Sequence, residues 1–137
     1  MSWVVDTCVV IDVFAADPKF GVASAKLLEE LKADGLVVAP VTMVELAPAF
    51  DGDMEAQKRF LELARIDFRD PWTLADTEAA HAAWASFIRA RKASNTLPKR
   101  PVADLLIGGF AANRQGLITR NPGDFRRWFP SVTVREP

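Results

Sequence analysis

Trp3-Val4-Val5-Asp6-Thr7-Cys8-Val9-Val10-Ile11-Asp12 begins with three apolar residues fit for a buried strand and then meets a carboxylate at Asp6. Val9–Ala15 reads as a helix, ended by Asp17-Pro18. The pattern repeats down the chain. Ala23, Leu27, Leu28 and Leu31 recur at helical spacing, and Asp34-Gly35 marks a turn. Leu36–Ala39 is a second buried strand, stopped by Pro40. Thr42 starts a helix towards Ala49, with Pro48 placed to end or kink it. Met54–Arg65 is amphipathic, Ile66–Phe68 is a short strand, and a long helix is expected from about Leu74 to Lys92.

After that helix, Ser94–Arg100 reads as a polar loop, and Pro101 suits the first turn of a helix to about Asn113. Leu117–Thr119 is a strand, Phe125–Phe129 one helical turn, and Val132–Val134 a last strand. Strands that alternate with helices imply an α/β fold whose central parallel sheet is flanked by helices on both faces. In such a sheet ligands gather outside the carboxyl ends of the strands. Asp6 and Thr119-Arg120-Asn121 each follow a proposed strand, which puts Asp6 and the Asp124 loop on one edge.

At 137 residues, half of them hydrophobic, one domain over 1–137 is expected. No apolar run approaches the roughly 20 residues needed to cross a bilayer. The first six residues lack a basic start and do not read as a signal peptide. The single cysteine, Cys8, excludes an internal disulfide and fits a reducing, cytoplasmic setting. Net charge is −1 but unevenly spread: residues 1–82 carry 15 acids and 7 bases, residues 83–137 only 3 acids and 10 bases. Arg89, Arg91, Lys92, Lys99 and Arg100 fall in a stretch without any acid. That asymmetry suits a polyanion. It also suits the solvated, basic end of a long helix, the more ordinary explanation.

Four acids stand beside apolar segments at element boundaries: Asp6, Glu45, Asp104 and Asp124. Each has a structural explanation. Asp6 with Thr7 can cap the first helix, and Thr42-x-x-Glu45 matches a capping box. Asp104 complements a helix dipole, and Asp124 can cap the turn at Phe125. Their order tells more: one after the first strand, one in the helix after the second, one opening a late helix, one after the fourth strand. Brought together, such acids repel, and a divalent metal is the usual remedy.

Val4–Asp12, Val41-Thr42-Met43-Val44-Glu45-Leu46, Asp104–Ala111 and Thr119-Arg120-Asn121-Pro122-Gly123-Asp124-Phe125 together resemble the four motifs of PIN-domain ribonucleases. The length resembles that of the VapC-type toxins of toxin–antitoxin pairs. The resemblance implies a carboxylate pocket of Asp6, Glu45, Asp104 and Asp124 that binds Mg²⁺ or Mn²⁺ and hydrolyses an RNA phosphodiester. It makes Asp6 and Asp104 direct ligands. Glu45 either binds through water or orients the attacking water, and Asp124 completes the pocket or holds a second ion. Thr7 and Thr119 take the family's hydroxyl positions, and Asn121 shapes the loop of Asp124. Arg91, Lys92, Lys99, Arg100, Arg120 and Arg126 are the candidate RNA contacts. A homodimer and a VapB-like antitoxin are the implied protein partners, with no membrane. An RNA-processing nuclease without antitoxin and a non-catalytic RNA- or partner-binding module are the alternatives.

Gly108-Gly109 departs from the alanines usual in the third motif and is expected to loosen that helix by roughly 1 kcal/mol per glycine. His81 reads as an ordinary helix histidine. Cys8, near a helix start, reads as a small buried side chain, with a lowered pKa as the alternative. Trp72, Trp84, Trp128 and Phe129 can stack on bases, although core packing is the stronger explanation for Trp84.

Overall fold

The computed structural model describes residues 1–94 and 102–137. Residues 95–100 of the expected polar loop, Pro101 and the candidate RNA contacts Lys99 and Arg100 lie outside the described residues. The strands are β1 (Trp3–Val5), β2 (Leu36–Val37), β3 (Ile66–Asp67), β4 (Gly116–Ile118) and β5 (Val134–Arg135). The α-helices are α1 (Thr7–Phe14), α2 (Gly21–Leu31), α3 (Pro40–Glu45), α4 (Met54–Leu63), α5 (Leu74–Ser94), α6 (Val102–Ala112) and α7 (Pro122–Trp128).

All pairings are parallel, in the order β3-β2-β1-β4-β5. Side chains alternate across a strand, so each short strand feeds two cores. Trp3, Val5, Leu36, Val38 and Ile118 pack with Val9, Leu27, Leu31 and Leu61 on the face covered by α1, α2 and α4. Val4, Val37 and Leu117 point the other way, against Ala83, Leu105, Phe110, Phe125 and Phe129 of the α5–α7 side. The helices therefore cover both faces, as the alternation predicts.

Two local expectations are corrected. The helix after β2 starts at Pro40, not Thr42, because a proline at the first helical position has no amide to lose. It ends at Glu45, before Pro48, and Ala47–Phe50 continues as a 3₁₀ turn. Thr42 and Glu45 are thus not a capping box, since Ala39 is the N-cap. Likewise α7 starts at Pro122, so Asp124 lies within its first turn and caps nothing at Phe125.

Gly108 and Gly109 are packing devices. A Cβ on Gly109 would stand 2.7 Å from Ala80 Cβ and 2.9 Å from the Asp76 carbonyl oxygen. A Cβ on Gly108 would lie 2.1 Å from the Phe129 ring. The glycines let α6 approach α5 and the end of α7, so their low helix propensity accompanies closer packing of the helix that carries Asp104.

Candidate active site

β1 and β4 are neighbours, with Val5 opposite Ile118, so Asp6 and Thr119 emerge side by side at the carboxyl edge. The Asp6 amide donates to the Ile118 carbonyl at 2.9 Å, which extends the pairing by one step. α3 leaves the same edge after β2. A crossover helix runs back against the strand direction, so α6, which leads into β4, begins at that edge and brings Asp104 in its first turn.

Asp6 is 5% exposed, and its acceptors are well used. Oδ1 accepts from the Thr7 amide at 2.8 Å, which makes Asp6 the N-cap of α1, as expected. Oδ2 accepts from Thr119 Oγ1 at 2.7 Å and from Cys8 Sγ at 3.4 Å. Thr119 Oγ1 accepts in turn from the Asn121 amide at 3.1 Å. The turn that shapes the Asp124 loop is thus tied to Asp6 through one hydroxyl. Thr7 Oγ1 lies 2.7 Å from Glu45 Oε1 and links the first motif to the second. The Thr7 and Thr119 hydroxyls thus touch Glu45 and Asp6 respectively.

Asp104 reports the convergence. Burial, then the charges of Asp6, Glu45 and Asp124 in that order, push its carboxyl from 3.8 up to about 6. Asp104 therefore lies within the field of the other three acids, although Glu45 and Asp124 belong to exposed residues. Among the described residues none of the four forms a salt bridge. No group of three or more His, Cys, Asp or Glu among the described residues is drawn tightly enough to form a preformed metal cage. The two observations are compatible: like charges held by hydroxyls and a helix start converge without closing on one point. An all-carboxylate donor set suits a hard cation, and Mg²⁺ takes few direct protein oxygens while keeping several waters. The donor chemistry of the four acids, all of them oxygen ligands, suits such an ion.

Cys8 is half-buried, and burial followed by the Asp6 charge pushes its thiol up to about 11. The direction of that shift is opposite to the lowered-pKa alternative. Arg120, one of the candidate RNA contacts, is paired within the protein. Its Nε donates to Asp12 Oδ2 at 2.6 Å, and its guanidinium lies 4.6 Å from the centre of the Phe20 ring. Asp12, 3% exposed, takes up that charge. Arg91, Lys92 and Arg126 are exposed. Trp84 and Trp128 are half-buried, and Phe129 belongs to the core.

The sequence reading missed a second polar cluster. Asp76, fully buried, accepts from the Thr73 amide at 2.9 Å, Asn113 Nδ2 at 2.9 Å and Arg114 Nη1 at 3.0 Å. Burial opposes its ionisation, but these donors hold its carboxyl below the usual range. Arg114 also donates to Asp70 and stacks 3.3 Å from the Phe110 ring centre. This cluster ties the start of α5 to the end of α6, away from Asp104. Thr73-x-x-Asp76 was the available signal, since it has the spacing of a reciprocal cap.

No curated protein matches the chain. Among solved structures, a chain from the crystal structure of VapBC2 from Rickettsia felis, bound to a DNA fragment from their promoter, superposes with a TM-score of 0.65 at 16% identity, over 99% of this chain and 98% of that one. Such low identity speaks for the fold alone. The model of the PIN domain matches residues 3–128, all four acids included, and the chain belongs to the PIN domain family.

Proposed function

We propose that this PIN domain is a divalent-metal-dependent endoribonuclease acting as the toxin of a VapBC-type pair. The observation that carries the catalytic part is the gathering of acids at one sheet edge, where Asp6 bonds to Thr7 and Thr119, Thr7 faces Glu45, and Asp104 opens α6 close enough for Asp6, Glu45 and Asp124 to push its carboxyl up. Four acids without a cationic partner among the described residues favour a cation between them. Mg²⁺ or Mn²⁺, when bound, supplies charge neutralisation at the phosphate and acidifies water.

The protein's own groups do the rest. Asp6, fixed by the Thr7 amide and the Thr119 hydroxyl, and Asp104, fixed by its helix, are the proposed direct ligands. Glu45, oriented by Thr7, takes the proton of the attacking water or steers that water. Asp124 completes the pocket. Asn121 holds the turn that presents Asp124. The exposed Arg91, Lys92 and Arg126 attract the RNA backbone, whose affinity is dominated by phosphate contacts. The PIN family membership supports the nuclease, and the VapBC2 match suggests the toxin role and a VapB-like antitoxin; a homodimer and a cytoplasmic setting complete the proposed reading.

The test is induction of wild-type and Asp6→Asn protein side by side, with RNA ends mapped and growth followed with and without a neighbouring small antitoxin gene. Expected are new RNA ends and growth arrest for the wild type alone, relieved by the antitoxin. Cleavage without arrest or relief favours an RNA-processing nuclease. Equal cleavage by Asp6→Asn defeats the assigned site.

A further inference from the structure

Thr42 is fully buried at the third position of α3, three residues before Glu45. Among the described residues its hydroxyl has one partner, Thr7 Oγ1 at 3.0 Å. Thr7 Oγ1 in turn faces Glu45 Oε1 at 2.7 Å. Thr7 Oγ1 can donate to either oxygen, and its single proton is assigned to Glu45 Oε1, the closer acceptor and the one that carries charge. An ionised carboxylate only accepts. Thr42 then has Thr7 as its acceptor, and its own proton points there. A buried hydroxyl left with an unspent donor would carry a desolvation cost, which makes this order the favourable one.

The order matters because of what surrounds Glu45. Its residue is exposed, it forms no salt bridge among the described residues, and Asp104 feels its charge. Repulsion and side-chain entropy both favour a swing into solvent. The bond from Thr7 opposes that swing, and it is available only while the Thr7 proton is not turned towards Thr42.

We propose that Thr42 is a positioning residue for the cleavage reaction: by donating to Thr7 it directs the Thr7 proton onto Glu45 and keeps that carboxylate beside Asp6. The inference rests on the nuclease reading above and adds a buried outer layer to its site. Partners of this outer kind commonly change metal affinity by about 10- to 100-fold when removed.

The test uses the full chain as wild type, Thr42→Val, Thr42→Ser, Thr7→Val and the Thr42→Val/Thr7→Val double variant. Mn²⁺ binding is read from the electron paramagnetic resonance signal of free Mn²⁺, RNA cleavage is measured in parallel, and circular dichroism checks folding. Thr42→Val is expected to weaken Mn²⁺ binding about tenfold. Thr42→Ser, which keeps the hydroxyl, should stay within about twofold of the wild type. Thr7→Val should match Thr42→Val, and the double variant should lose no more than either, as expected of one linked chain. A folded Thr42→Val protein with wild-type Mn²⁺ affinity overturns the proposal, as do losses that add in the double variant. If Thr42→Val does not fold, Thr42→Ala replaces it, and equal Mn²⁺ affinity of the Ala and Ser variants overturns the proposal. A wild type that binds Mn²⁺ but cuts no RNA defeats the nuclease reading while the binding comparison still decides the hydroxyl chain. A wild type that binds no Mn²⁺ overturns both.

Discussion

Replacing Asp104 with Asn should make the metal-free protein more stable, although it removes a residue assigned to the reaction. The folded-state pKa of Asp104 is raised from 3.8 to about 6, by burial first and then by Asp6, Glu45 and Asp124. A raised acid pKa means that the folded protein holds the proton more tightly than the unfolded chain. Stability is then unaffected below the unfolded pKa and is lost as pH climbs through the folded value, so the penalty is complete above about pH 7. At 1.36 kcal/mol per pH unit the shift is worth about 3 kcal/mol. Solvent screening of a partly exposed group reduces this to about 1.5 kcal/mol. Asn also forfeits a favourable charge in the first turn of α6, worth about 0.5 kcal/mol. The net gain of about 1 kcal/mol should raise Tm by about 3 °C near pH 7.5 and leave it unchanged or slightly lower near pH 4. Differential scanning calorimetry of metal-free wild type and Asp104→Asn at both pH values reads this directly. Added Mn²⁺ should stabilise the wild type and have much less effect on the variant. An unchanged or lower Tm at pH 7.5, or an equal gain at pH 4, would refute the claim that Asp104 lies within the field of the other three acids.

Gly109→Ala should lower stability by about 1–3 kcal/mol in urea unfolding, because the contact with Ala80 and the Asp76 carbonyl outweighs the helix propensity gained. A more stable variant would show that α6 has room to spare. Arg120→Met leaves the buried Asp12 carboxylate without its partner and should cost about 3 kcal/mol. Adding Asp12→Asn should recover most of that loss by chemical denaturation, and strictly additive losses would count against the pair.

The fold could be read from the sequence because its three central strands, β2, β1 and β4, are short, wholly apolar and bounded by turn or cap residues. Trp3–Val5 and Leu36–Val38 feed cores on both faces, so they lack the alternation of a half-exposed strand. Asp6 was legible for a local reason: a carboxylate directly after such a strand sits at an N-cap and at the sheet's ligand edge together. The partners that organise the site were not legible. Thr42 and Thr7 are 35 residues apart, and Asp12 and Arg120 are 108 apart. Only the sheet order brings them together. Arg120 showed only its charge, because a sequence hides the acid paired with it. Gly108-Gly109 looked like a weakness because propensity is local and close approach is not. Thr42-x-x-Glu45 suggested a cap because the spacing is right, while Pro40 had already begun the helix.

The central claim is that Asp6, Glu45, Asp104 and Asp124 face one cation-binding space. Crystals of the full chain grown with Mn²⁺, with anomalous data collected at the manganese edge, test it most directly. The account predicts a strong anomalous peak between the Asp6 and Asp104 carboxylates, within reach of Glu45 and Asp124 directly or through water. Four carboxylates with full Mn²⁺ in the medium and no peak among them would contradict it.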